Sequence, residues 1–505
     1  MTALSFANIK SLFFDNRSIK QTIFKNTFWL GTGTAISKLF RFVLLVYTVR
    51  ILGVTDYGKF SFAWSFISLF VIFQDFGLPL TVTRELSQNK EKEKEFPQIL
   101  SLKIILSIIT LALISIGLLF VTQDSATRKI IFILALFTIT NGFLTIIYAF
   151  FQARQQMEHQ AWLVILQSVV ATIVGIGVLL KFPSVENLSY SYLFSGVVAL
   201  IIASIFFNYK VAPLRISWGK GIWIRLLSIS WPLAFTGLFG VLYSYTDSVM
   251  MGYWGMIKEV GWYNAADGIT STALLLMGFV SVSFYPVLSK FFAESKEKLQ
   301  NALNNQLKIM IFLALPLVIG GIVLAPKIIS FAYGAAFSPS ILVFQILIIT
   351  TGMIFLFAPY CDLLIASHQQ KKIFYISAIG AAMNIIFNLI FIPWLSLYGA
   401  AIATLISTLI IFVLTLLSVK ILTPISFFNL QLTKILISAI LASSFMYFLI
   451  KLPLIYNLNV ILVFVAGALV YFLAFFIFQI IIKRIKLILR RLFGASKSNL
   501  SGFIS

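Results

Sequence analysis

The sequence predicts an all-α, polytopic membrane protein of about 14 transmembrane helices, built as two parallel-repeat six-helix bundles plus two C-terminal helices. Three observations predict this class. The 505 residues are 60% hydrophobic and only 11% charged, against about 45–50% apolar and about 25% charged in soluble domains. Apolar runs near the length that crosses a roughly 30 Å hydrocarbon core recur along the whole chain. A short polar stretch is also written twice, as "LGVTDYGKFSFA" over 52–63 and "WGMIKEVGWYNAA" from Trp254, each time between long apolar runs.

Taken in order, the apolar cores lie at 24–48, 58–82, 98–121, 130–152, 160–180, 188–208, 226–252, 262–289, 304–325, 339–366, 373–393, 397–419, 433–450 and 458–482. The ninth and tenth are separated at "APKIISFAYGAAFSPS", which holds two prolines and a glycine. The first 23 residues are mixed and basic without a long apolar core, so the first span is expected to remain in the protein. Pro79, Pro232, Pro286, Pro316 and Pro359 fall within spans and read as kinks, because proline removes a backbone donor.

Charge sets the orientation. With the N-terminus cytoplasmic, the inner segments carry 26 of the 38 Lys and Arg residues and the outer ones 8. Basic residues favour the cytoplasmic side, which puts both termini inside. Most of the formal charge of +22 is then topology and contact with anionic lipid, and no nucleic-acid partner is expected. The single cysteine, Cys361, excludes an internal disulfide, and His159 and His368, both read as interfacial, are too few for a His-rich metal site. No GxxxxGK[ST] stretch occurs, so the chain carries no ATPase of its own. No outer loop is large enough for a catalytic domain; neither an enzyme nor a cofactor is expected.

The two repeated stretches sit between spans 1 and 2 and between spans 7 and 8. They share a glycine, aromatic and alanine at fixed spacing: Gly58, Phe60 and Ala63, then Gly261, Tyr263 and Ala266. The offset of six spans is even, so the halves insert in the same sense, as in parallel-repeat transporters. Pro79 and Pro286 occupy comparable places near the inner ends of spans 2 and 8, and "LYGAAIAT" (397–404) marks a related turn. The stretches read as turn punctuation that binds nothing. The chain divides into a cytoplasmic N-terminus (1–23), a first bundle (24–210), a linker (211–225) and a second bundle (226–421). Spans 13 and 14 (422–482) and a basic cytoplasmic tail (483–505) complete it.

"FWLGTGTAISKLFRFVLLVYTVRILGVTDYGKFSFAWSF" with "DFGLPLTVTREL", and later "SWPLAFTGLFGVLYSYTDSVMMGYWGMIKEVGWYNAAD", resemble the Wzx-type polysaccharide flippases. These belong to the multidrug/oligosaccharidyl-lipid/polysaccharide exporter superfamily. The resemblance covers spans 1–12, and spans 13 and 14 fit the family's longer members. It implies a V-shaped pair of bundles around a central cavity, working by alternating access, and Asp247 falls on the family's recurrent acid in span 7.

Ionised side chains within a bilayer cost roughly 2.5–3.5 kcal/mol each on insertion scales and usually face a cavity. Lys38 and Arg41, one turn apart in span 1, are candidate contacts for a phosphate or diphosphate, the alternative being that Arg41 snorkels or pairs internally, for instance with Asp247. Asp247 is a candidate for proton or sodium coupling or a structural ion pair; Asp267 either shares that role or caps the start of span 8. Asp75, Arg84, Glu85 and Asp362 form either a cytoplasmic gate or ordinary interfacial pairs. Asn384 and Asn388, four apart in span 11, either line the cavity for sugar hydroxyls or bond neighbouring helices.

The expected function is translocation of an undecaprenyl-linked oligosaccharide across the bacterial cytoplasmic membrane for surface polysaccharide such as O-antigen. Ion counter-transport would drive it. Partners are the lipid-linked oligosaccharide, membrane lipids and polysaccharide polymerase or assembly proteins. A lipid II or drug exporter of the same superfamily is the first alternative, although a cavity for cationic drugs would be acidic. A membrane glycan polymerase or ligase is the second, and it generally needs a sizeable outer loop.

Overall fold

The computed structural model describes residues 14–16, 18–121, 124–211, 213–423, 425 and 430–498. Most of the expected N-terminal segment lies outside the described residues, whereas the expected tail from 483 is described as far as 498, as the end of a helix. The described residues are almost entirely helical, and no strand occurs among them. In chain order the helices are α1 (Ile19–Asp75), α2 (Leu78–Gln88), α3 (Phe96–Val121), α4 (Ser125–Ala153), α5 (Met157–Lys181), α6 (Val185–Lys210) and α7 (Lys220–Tyr253). They continue with α8 (Ile257–Glu294), α9 (Lys296–Tyr333), α10 (Ser340–Ala366), α11 (Gln370–Leu395), α12 (Leu397–Leu422), α13 (Leu430–Lys451), the single turn α14 (Pro453–Tyr456) and α15 (Val460–Ser498).

Among the described residues 13 helical stretches are long and apolar enough to cross a membrane, the first of them Gln21–Gln88. That first stretch contains two crossings. The 57 residues of α1 at 1.5 Å per residue extend about 85 Å, far beyond one hydrocarbon core, and Gly53 breaks the helix with φ 74 and ψ −176. Only glycine adopts that conformation at little cost. Spans 1 and 2 are thus joined by one residue where the sequence suggested a hairpin loop, and the total is fourteen.

Two sequence expectations change here. Pro79 does not kink a span: α1 ends at Asp75, Phe76 and Gly77 take left-handed conformations, and Pro79 stands in the first turn of α2. Its missing N–H costs nothing at that position. Pro286 lies inside α8, so these two prolines are not equivalent. The ninth span also runs further than its apolar core, through Pro326 to Tyr333, before Gly334 turns the chain at φ 91.

The chain packs as two compact units. The first takes the described part of Met1–Thr272 with Ala332–Phe337 and Ser377–Ala403, and the second takes Ala273–Phe331, Ser338–Ile376 and the remainder from Thr404. This division differs from a cut at 211–225, since α7 and the start of α8 go with the first six spans. Backbone proximity explains it. A Cβ on Gly58 would stand 2.0 Å from the Ile257 carbonyl oxygen, and one on Gly261 2.3 Å from that of Val54. The repeated stretches therefore interlock, glycine against backbone.

Within the first unit, Phe96, Phe150 and Phe207 form an aromatic core, with Phe207 centroids 4.9 Å from both partners. Nearby, buried Lys25 pairs with Glu158 at 3.0 Å and donates to the Gln155 carbonyl, fixing the start of α1. In the second unit, α13 and α15 pack on α9 through Met446, Val463, Tyr471 and Leu324, and Tyr471 donates to the Phe312 carbonyl at 2.9 Å.

Candidate functional site

The first site begins with how α1 packs on α5. Ser37 and Leu44 are buried; Ser168 donates to the Ser37 hydroxyl at 2.9 Å, and Thr172 to the Phe40 carbonyl at 3.0 Å. Gly175 leaves room for Leu44, and Gly33 lets Ala161 approach. An α-helix advances 100° per residue, so Arg41, one residue past Phe40, stands off this seam. It lines a cavity of about 300 Å³ inside the first unit.

The rest of the wall comes from five other stretches, one of them α8 through Asn264. Phe60 and Trp64 descend from the far side of Gly53, Asn141 from α4, Gln167 from α5 and Tyr192 from α6. Trp64, Phe137 and Tyr192 pack at centroid distances of 5.6–5.9 Å, and Gln167 donates to Asn141 at 2.7 Å. Among the described residues Arg41 has no carboxylate and no hydrogen-bond partner. Lys38, one turn earlier, is exposed and also lacks an acidic partner among them; the two cations repel.

A second cavity of about 210 Å³ shares Trp64, Phe137 and Asn141 and reaches Gln74 and Asp75. Asp75 is paired there with fully buried Lys103, whose ammonium lies 2.5 Å from the carboxylate and 3.0 Å from the Gln74 carbonyl. Sequence reading passed over Lys103, although a lone lysine in the apolar run "ILSLKIILSIITL" was its signal.

The other residues expected at a gate have separate partners. Glu85 takes Lys92 and, at 3.6 Å, Arg225. Arg225 also pairs with Glu95, and Arg154 with Glu93 at 2.6 Å, so the acids of the segment 90–95 tie down the end of α4 and the start of α7. Arg84 is exposed. Asp362 belongs to the second unit, where Gln306 donates to it at 2.7 Å.

The span 7 acid sits in a buried polar network of the first unit. Asp247 accepts from the Tyr263 hydroxyl at 2.5 Å and from Asn388, whose amide also donates to Asn384 at 3.0 Å. All four are 5% exposed or less. Asn384 and Asn388 are thus placed around Asp247, not on the wall beside Arg41. Asp267 repels Asp247 and lies nearly three turns into α8, which starts at Ile257; it does not cap that helix. Tyr263 is the aromatic residue of the second repeated stretch, and its counterpart Phe60 lines the Arg41 cavity. The repeated stretches therefore do more than turn the chain.

A family model described as "Polysaccharide biosynthesis protein" matches residues 23–292. The chain belongs to that family. A second model, MatE, matches residues 232–390, and together they place the chain in the exporter superfamily that its motifs resemble. Among curated relatives, the probable low-salt glycan biosynthesis flippase Agl15 of Haloferax volcanii is 24% identical over 73% of this chain and 77% of its own length. The probable flippase AglR of the same organism is 26% identical over 48% of this chain, which spans about half (51%) of that relative. The fold is shared with a solved structure of the lipid II flippase MurJ in an inward closed conformation. That likeness has a TM-score of 0.72 at 19% identity, over 90% of this chain and 98% of the other.

Proposed function

We propose that the protein is a flippase carrying an undecaprenyl-phosphate- or diphosphate-linked oligosaccharide from the inner to the outer leaflet of the cytoplasmic membrane, by alternating access. One observation carries the reading. Arg41 lines a cavity within the membrane-spanning region without an acidic partner among the described residues. An unpaired guanidinium is costly there, and its planar fork matches phosphate oxygens. Lys38 adds a second charge to the same approach. A cationic drug would be repelled by this pair, which weighs against a drug exporter.

Counter-transport of a proton or sodium ion through Asp247, with Asp267 beside it, supplies the driving force. Asn384, Asn388 and Tyr263 hold the Asp247 carboxylate for that exchange. The Glu85–Arg225 and Asp75–Lys103 pairs of the first unit serve the cytoplasmic entrance, with Arg84 as a further charge there. Polysaccharide polymerase or assembly proteins would receive the product.

The test is complementation of a flippase-null strain. Arg41→Ala is expected to insert at wild-type levels, abolish surface glycan and cause lipid-linked precursor to accumulate. The chemical identity of that precursor separates an oligosaccharide carrier from a lipid II carrier. Normal surface glycan with Arg41→Ala would overturn the anion assignment.

A further inference from the structure

We propose that the Arg41 cavity is also a sugar seat, holding the pyranose ring bonded to the phosphate, with Trp64, Tyr192 and Gln167 as its recognition residues; this rests on the flippase reading above. Phosphate recognition alone would need only cations and donors. The cavity has more. Trp64 and Tyr192 form one wall at 5.6 Å between centroids, an amphipathic surface suited to the apolar face and hydroxyl edge of a sugar ring.

The polar edges of that wall are free. Neither the Trp64 indole N–H nor the Tyr192 hydroxyl finds a partner among the described residues, and neither does the Gln167 side-chain carbonyl, whose amide is spent on Asn141. None of the three atoms is among the polar atoms sealed away from contact, and all three residues line the cavity. All three are therefore open to a ligand, and a donor, a donor-acceptor and an acceptor on the wall that Arg41 shares form a set that a vicinal diol next to a phosphate would satisfy.

Size agrees with one ring rather than a chain. About 300 Å³ corresponds to roughly ten water volumes at about 30 Å³ each, the scale of a single hexose. Later sugars would extend past Trp64 and Asn141, which are shared with the second cavity.

The experiment measures binding to the full-length protein in lipid nanodiscs with two soluble probes: citronellyl diphosphate, and the same diphosphate carrying one hexose. The wild type is expected to prefer the sugar-bearing probe by about tenfold. Trp64→Leu should erase that preference while keeping affinity for citronellyl diphosphate, and Arg41→Ala should weaken both probes. Tyr192→Phe removes a single hydroxyl and spares the packing, so it reports even if Trp64→Leu misfolds; a three- to tenfold drop in preference is expected, about one neutral hydrogen bond. Equal wild-type affinity for the two probes, or a preference unchanged in Tyr192→Phe, overturns the sugar seat and leaves the anion reading standing. Binding of neither probe by the wild type overturns both.

Discussion

Arg41 and Asp247 show how differently two charged side chains are held in one fold. The arginine has no acidic partner among the described residues and looks onto a cavity, whereas the aspartate is 2% exposed and bound by a tyrosine and an asparagine. The Tyr263 hydroxyl and the Asn388 amide hold the Asp247 carboxylate in one place within the unit. If it couples transport to an ion, Asp247→Asn should leave probe binding at Arg41 intact. In proteoliposomes with an imposed proton or sodium gradient, translocation should fall about tenfold, to the rate without a gradient. A variant that still responds fully to the gradient would remove Asp247 from the coupling path. Lys103 teaches a related lesson: a buried ammonium is tolerated because Asp75 and the Gln74 carbonyl receive it together.

At the scale of elements, the repeated glycine stretches decide which helices pack together. Gly58 and Gly261 have carbonyl oxygens within 2.3 Å of where a Cβ would stand, and a backbone oxygen cannot rotate away. Overpacking of this kind costs about 1–3 kcal/mol. Gly58→Ala should therefore lower thermal stability in detergent and loosen the contact between the two stretches, read as faster cross-linking-reagent access at Val54. Gly177 in α5 has nothing within 4 Å of a Cβ, so Gly177→Ala should be neutral or stabilising, by about 0.5–1 kcal/mol. Equal effects of the two substitutions would show that the interlock is unimportant. Proline reading was less secure than glycine reading: Pro79 starts a helix while Pro286 lies within one, and only the backbone distinguishes the two uses.

For the whole molecule, the bias of Lys and Arg is the basis for proposing that both termini are cytoplasmic. Membrane-impermeant thiol labelling of intact cells tests it. Lys181→Cys, at the exposed last residue of α5, should react from outside, and Lys371→Cys, exposed at the start of α11, should react only after permeabilisation. The reverse pattern would invert the proposed direction of transport. Family membership and the shared fold fit this account, in which one compact unit holds both a cavity lined by Arg41 and a buried acid, Asp247.

The sequence by itself determined the membrane class, the number of crossings, the internal repeat and the family, because hydropathy, span length and local glycine patterns are properties of short stretches. It also pointed to Lys38, Arg41 and Asp247, since any charge within an apolar run stands out. Tertiary structure alone decided what each one meets. Helix rotation is set by packing, here by Ser37, Phe40 and Leu44 against α5, and that rotation turned Arg41 onto a cavity. Contacts between residues more than a hundred positions apart drew Asn384 and Asn388 to Asp247, and placed Trp64, Gln167 and Tyr192 on one wall. No local pattern encodes such meetings, because they depend on how several helices close together.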